Sequence, residues 1–136
     1  MASTPGEPDV ADTDEQRRAG REVQRQLWGD RAADAERPAT PAGQLAPDYF
    51  DLVRRYCFGE VWARPGLAVR DRSMITVAML AALGRQEELR AHLVGARNVG
   101  ISRDELVEVL MQVGVYAGIP AGVAALTTAA DVLGDG

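Results

Sequence analysis

A nearly continuous apolar segment at residues 73–83 constrains the fold more than any other part of the chain. Its sequence, SMITVAMLAAL, ends at Gly84. The length and the alanine-rich second half favour a helix over a strand, despite the β-branched residues at 75–77. A helix with so little polar surface has to be surrounded by other helices or by another subunit. The stretch 113–126 is also apolar, and the two together exceed what a small monomer easily buries, so we expect an oligomer.

The rest of the chain shows helical spacing and no strand signal. Ala19, Val23 and Leu27 form a narrow apolar stripe, and Ser102 and Glu105 fit a capping box at the start of a later helix. The sequence has no alternation with a period of two residues and no hairpin turn signal. It therefore predicts an all-α fold of about five or six helices. The expected helices begin near Asp14, Asp48, Asp71, Gln86, Ser102 and Pro120.

The same pattern predicts how the chain is organised. Residues 1–13 are predicted to be a disordered acidic tail, and residues 14–136 to be one domain. Residues 31–47 hold three prolines and a glycine, which is typical of a loop. In the helix after this loop, Asp48 is the expected N-cap. Its expected buried side chains are Tyr49, Leu52, Val53 and Tyr56.

Charge and composition exclude several classes of function. The 136 residues include 20 acids and 15 bases, all of them arginine, so a nucleic-acid partner is not expected. The N-terminal residues lack the pattern of a signal peptide, and no apolar stretch is long enough to span a bilayer. Cys57 is the only cysteine and His92 the only histidine, which excludes an intrachain disulfide and multi-histidine metal sites. We therefore predict a cytoplasmic protein with no metal and no membrane partner.

His92 is the first candidate for chemistry, because imidazole is the side chain that titrates near neutral pH. Glu88 lies four residues earlier, and on a helix the two would share a face. A carboxylate–imidazole pair raises the pKa of the histidine and suits a general acid or base. The alternative is a partly exposed histidine with a routine contact to Glu88.

Arginines and a turn supply the other candidates. Arg72 and Arg85 flank the apolar helix, and arginine binds carboxylates in a bidentate way, so an anionic substrate would suit them. Arg64 and Arg90 flank the same helices, and the alternative for most of the four is a solvated arginine paired with a nearby acid. Glu60 and Trp62 lie beside a turn, and Tyr116 is near the end of an apolar helix. Structural roles remain open for all three, and the methionines Met74, Met79 and Met111 are expected in the core.

Three strings of the chain together resemble the carboxymuconolactone decarboxylase family. They are FGEVWARPGL at 58–67, DRSMITVAMLAALGRQEELRAHL at 71–93 and SRDELVEVLMQVGVYAGIPA at 102–121. The opening helix GREVQRQLWGD, at 20–30, is similar as well. The resemblance implies helical hairpins of the alkylhydroperoxidase D-like type, assembled into trimers or hexamers. It also implies decarboxylation of 4-carboxymuconolactone without a metal or organic cofactor.

The resemblance implies roles for particular residues. His92 matches the family's histidine and is expected to donate a proton or to stabilise an oxyanion. Glu60 matches a family glutamate that orients a water, an arginine or the histidine. Arg72 and Arg85 match family arginines and would hold the substrate's carboxylates. Trp62 and Tyr116 are expected beside the substrate. The thiol chemistry of the related CxxC branch is excluded, because Arg85 and Glu88 occupy the cysteine positions.

Some residues depart from the family pattern. Ala32 stands where the family often has a histidine, and the last helix lacks the expected Phe and Arg. Three hypotheses therefore stay open. The first is a cofactor-free decarboxylase of an unsaturated lactone carboxylate. The second is a relative recruited to natural-product biosynthesis for another proton-transfer, cyclisation or isomerisation step. The third is a non-catalytic oligomeric binding protein.

Overall fold

The computed structural model describes residues 10–134, and the regular elements in that range are all helical. The all-α prediction is therefore confirmed for the described residues, with eight α-helices and one π-helix instead of five or six helices. The elements are α1 Val10–Trp28, α2 Asp30–Asp34, α3 Pro41–Leu45, α4 Pro47–Leu52, the π-helix Val53–Trp62, α5 Val69–Leu83, α6 Gln86–Asn98, α7 Arg103–Ala117 and α8 Ile119–Leu133. They pack as two compact units that divide between Gly66 and Leu67. No helix within residues 10–134 is long and apolar enough to cross a bilayer.

The first unit is built on α1 and the π-helix, which pack against each other in opposite directions. A Cβ atom added at Gly20 would lie 2.1 Å from the backbone oxygen of Arg54. One added at Gly59 would lie 2.1 Å from the backbone oxygen of Gln16. Both helices therefore approach to a distance that only glycine permits. Val23 and Leu27 of α1 are buried, as the apolar stripe predicts.

Several predictions for the first unit are wrong. Helix α1 begins at Val10, inside the predicted tail, while residues 1–9 lie outside the described residues. The predicted loop at 31–47 contains α2 and α3, and the residue before α4 is Ala46 rather than Asp48. The expected buried residues Tyr49, Leu52 and Tyr56 are exposed.

The π-helix explains the wrong choice of buried face. Arg54 and Phe58 are the buried residues of this segment. A π-helix closes i→i+5 hydrogen bonds, so its turn is wider than that of an α-helix. A prediction that assumes the α-helical period of 3.6 residues therefore assigns the wrong side chains to the face that contacts α1.

The second unit contains α5 to α8 around one apolar core. Gly84 ends α5 in the left-handed conformation, with φ 73°, and α6 begins two residues later. Ser102 and Glu105 form the predicted capping box, with hydrogen bonds of 3.0 and 2.8 Å, and Pro120 lies in the first turn of α8. The largest fully buried core side chains are Leu89, Leu93, Ile101, Leu106, Leu110 and Val77.

All four helices of the second unit keep large apolar side chains exposed, with Val94 on α6. Ile75, Met79 and Leu83 belong to α5, Val115 and Tyr116 to α7, and Ile119 and Val123 to α8. Val115, Tyr116 and Ile119 are each at least 70% exposed. The apolar character of these segments is therefore only partly used for packing within the described chain.

Candidate active site

His92 lies on α6, half-buried beside the core residues Leu89 and Leu93. Burial lowers the pKa of His92 to about 4, and the negative charge of Glu88 opposes this shift only in part. The expected rise of the histidine pKa is therefore wrong in sign. At neutral pH the imidazole is uncharged, so its chemistry is that of a base or a neutral N–H donor and not that of an imidazolium acid.

The lowered pKa of His92 gives a prediction for stability. The unfolded chain binds a proton at this residue near pH 6.5, while the folded chain binds it only near pH 4. Lowering the pH from 7.5 to 5 is therefore expected to reduce the free energy of unfolding by on the order of 2 kcal/mol. Urea titrations at the two pH values measure the loss, and pH 5 lies above the range in which Asp51 takes up a proton.

The variant His92→Gln is the matched control for that experiment, because it removes the titrating group. Its stability is expected to change little between pH 7.5 and pH 5. An equal loss in the wild type and the variant would assign the pH dependence to other groups and would contradict the burial of a neutral imidazole.

The arginines near α5 and α6 differ in their surroundings. Arg72 is half-buried on α5, and its Nε atom lies inside the protein. Arg85 is exposed immediately before α6 and forms no ion pair with any residue from 10 to 134. Arg90 pairs with Asp131 and lies 3.9 Å from Glu87. The alternative of an arginine paired with nearby acids is therefore confirmed for Arg90. Arg85 thus carries a more solvent-accessible guanidinium group than Arg72.

Glu60 and Trp62 lie on the π-helix of the first unit. The side-chain amide of Gln16 donates a hydrogen bond of 2.8 Å to Oε1 of Glu60. Phe58 lies between two tryptophans, with ring centroids 5.5 Å from Trp62 and 5.6 Å from Trp28. Stretches of π-helix occur frequently at functional sites. The packing of these three rings holds the end of the π-helix that carries Glu60.

A shallow apolar groove of about 690 Å³ lies between α5 and α7 in the second unit. Tyr116 lines this groove, together with Met74, Met79 and Gln112. His92, Arg72 and Arg85 do not line it, so the structure does not bring Tyr116 together with these candidates. Met74 packs against the core as predicted, but Met79 and Met111 are exposed, and their expected burial is wrong.

A second cavity of about 320 Å³, in the first unit, is lined by charged side chains that sequence analysis missed. Arg17 donates to both carboxylate oxygens of Asp51, at 2.8 and 3.1 Å. The hydrogen bond from Arg17 lowers the pKa of Asp51 to about 2. The lining contains three arginines, Arg17, Arg21 and Arg37, and three acids, so its formal charges cancel. No sequence signal links Arg17 to Asp51, because the two are 34 residues apart.

Arg54 is a second residue that sequence analysis missed. Its guanidinium is buried and donates to Oε1 of Gln24 and to the backbone oxygens of Ala32, Ala33 and Ala35. The chain path around Ala32 is thus held by contacts from Arg54 to backbone oxygens. The side chain of Ala32 is exposed.

Comparison with known proteins decides the family. A model of the carboxymuconolactone decarboxylase family matches residues 47–131. The chain belongs to the carboxymuconolactone decarboxylase family. It is 40% identical over 123 residues to the 4-carboxymuconolactone decarboxylase of Acinetobacter baylyi, which covers 90% of each chain. It is 29% identical over 109 residues to the nitrosuccinic acid decarboxylase npaB of Metarhizium robertsii, which covers 80% of this chain and 74% of the relative.

Membership in the carboxymuconolactone decarboxylase family confirms the resemblance carried by the three strings. Both relatives are named decarboxylases, which is consistent with a carboxy-lyase. Their names state two different acids, so family membership alone does not select the substrate.

Proposed function

We propose that this protein is a cofactor-free decarboxylase of an unsaturated lactone carboxylate such as 4-carboxymuconolactone. The observation that carries the proposal is the 40% identity to a 4-carboxymuconolactone decarboxylase over 90% of both chains. A lactone of this kind is a small organic acid, and the net charge of −5 makes local arginines necessary to hold it.

The reaction follows from the chemistry of the lactone. The bond between the γ carbon and its carboxylate breaks, carbon dioxide leaves, and the electron pair moves through the ring to the lactone carbonyl oxygen. The resulting dienolate then takes a proton at the α carbon, and the products are carbon dioxide and the enol-lactone. Catalysis requires a hydrogen-bond donor at the developing oxyanion and a proton for the carbon.

His92 is the proposed donor to this oxyanion. A pKa of about 4 keeps the imidazole neutral, and a neutral N–H stabilises an oxyanion without adding a charge that would hold the substrate's carboxylate in its ground state. Its half-buried position beside Leu89 and Leu93 strengthens such a hydrogen bond, because the surroundings are apolar.

The other predicted residues have roles in binding and proton delivery. Arg72 and Arg85 bind the carboxylates, and Glu60 orients the group that delivers the proton to the α carbon. Trp62 supplies an apolar wall beside Glu60. Tyr116 contacts substrate only if the groove between α5 and α7 takes part in binding.

A direct assay tests this proposal. Purified protein is added to 4-carboxymuconolactone generated in the cuvette, and carbon dioxide release is followed together with the absorbance of the lactone. We expect turnover well above the spontaneous rate. A folded protein that leaves the spontaneous rate unchanged would contradict the proposal.

A second candidate function is decarboxylation of another small acid in a biosynthetic pathway. The 29% identity to the nitrosuccinic acid decarboxylase and the alanine at position 32 favour it. The same assay with nitrosuccinate separates the two candidates. A larger kcat/KM for nitrosuccinate than for the lactone would favour the second.

The exposed apolar residues of α5, α7 and α8 support a homo-oligomer, a trimer or a hexamer, as the acting form. Sedimentation equilibrium tests this part of the proposal. We expect a mass of three or six times 14.6 kDa, and a monomer at assay concentrations would contradict it.

A further inference from the structure

Gln16 contacts the π-helix at two neighbouring positions. Its backbone oxygen lies where a side chain at Gly59 would begin, 2.1 Å from the position of the missing Cβ. Its side-chain amide donates to Oε1 of the next residue, Glu60, at 2.8 Å. The close approach of α1 and the π-helix therefore places the amide of Gln16 at the carboxylate, and a bulkier residue at position 59 would separate them.

The geometry points to Gln16 as the positioning residue of the Glu60 carboxylate during decarboxylation. This inference rests on the proposed function, in which Glu60 orients the proton-delivering group. Gln16 acts through Glu60 and is not itself a catalytic residue.

The hydrogen bond from Gln16 affects the orientation of the Glu60 carboxylate more than the stability of the fold. A glutamate carboxylate on a helix surface has three rotatable bonds and samples many positions. A hydrogen bond to Oε1 selects one of them and leaves Oε2 to contact the reacting system. The bond is exposed, so its contribution to the free energy of unfolding is small. The effect on catalysis is larger, because a misplacement of about 1 Å can cost on the order of 100-fold in rate.

A double-mutant cycle on the full chain tests the inference. The variants are Gln16→Ala, Glu60→Gln and the two combined. We expect Gln16→Ala to lower kcat roughly 10-fold to 100-fold, with little change in KM or in the melting temperature. In the Glu60→Gln background the same change should have no further effect, because a positioning residue has nothing left to position.

Gln26 supplies the matched control, because it is an exposed glutamine on the same helix. Gln26→Ala is expected to keep the wild-type kcat. A second pair, Gln16→Glu and Gln26→Glu, adds one negative charge to α1 at either position. Only Gln16→Glu replaces the donor to Oε1 of Glu60 by a second carboxylate that repels it, so only this variant should lower kcat.

The outcomes separate this inference from the proposed function. A wild-type kcat in Gln16→Ala, with a large loss in Glu60→Gln, would overturn the positioning role alone. Additive losses in the double variant would also overturn it, since Gln16 would then act independently. Full activity in Glu60→Gln would remove Glu60, and Gln16 with it, from the mechanism. Failure of the wild-type protein to decarboxylate either acid would overturn the proposed function and the inference together.

Discussion

The variant His92→Gln is expected to lower kcat for decarboxylation by at least about 100-fold, because the donor to the dienolate oxygen is lost. Glutamine keeps a polar side chain of intermediate size at a half-buried position, so α6 should remain folded. Single-turnover measurements at saturating lactone separate the chemical step from substrate binding. KM should change little, because the ground-state carbonyl oxygen carries less charge than the oxyanion.

Glu88→Gln is the matched control for the role of His92. Glu88 is exposed on the same helix and opposes the lowered pKa of His92 only by its charge. Its removal should lower the pKa of His92 further and leave the imidazole neutral at pH 7, so kcat should stay near the wild-type value. Unchanged turnover in His92→Gln would show that another group stabilises the oxyanion.

The variant Gly59→Ala is expected to destabilise the first unit by at least about 3 kcal/mol. Alanine normally stabilises a helix relative to glycine by roughly 1 kcal/mol, so the local preference alone predicts the opposite sign. The added methyl group would lie 2.1 Å from the backbone oxygen of Gln16, which cannot rotate away as a side chain does. The π-helix and α1 would have to separate, with loss of their packing.

Tryptophan fluorescence measures this effect on the first unit. The chain has two tryptophans, Trp28 and Trp62, and both belong to the first unit. Gly66→Ala is the matched control, because a Cβ at Gly66 meets no atom within 4 Å. Its unfolding midpoint in urea should equal that of the wild type. A Gly59→Ala protein as stable as Gly66→Ala would contradict the close approach of the two helices.

The sequence predicts the second unit well, because its signals are local. The Ser102 capping box, the left-handed Gly84 and the proline in the first turn of α8 each act within a few residues, and each is confirmed. The family was also predictable, because two of the three strings lie wholly in this unit.

The first unit was predicted less well, because its structure depends on contacts between distant residues. The buried guanidinium of Arg54 bonds to groups 19 to 30 residues away, and no periodic pattern indicates such a contact. The π-helix likewise departs from the period on which the prediction of its buried face relied. For the candidate residues, the identity of His92 was readable from the sequence. The sign of its pKa shift depends on tertiary burial, which the sequence does not report.

The contacts of Arg54 have a consequence for how the chain tolerates change at residues 32–35. Its guanidinium bonds to the backbone oxygens of Ala32, Ala33 and Ala35, and every amino acid carries that oxygen. An exposed side chain of this segment, such as that of Ala32, is therefore replaceable without moving the backbone of α2. A substitution at the exposed position 32 therefore changes what α2 presents to its surroundings and keeps the same backbone.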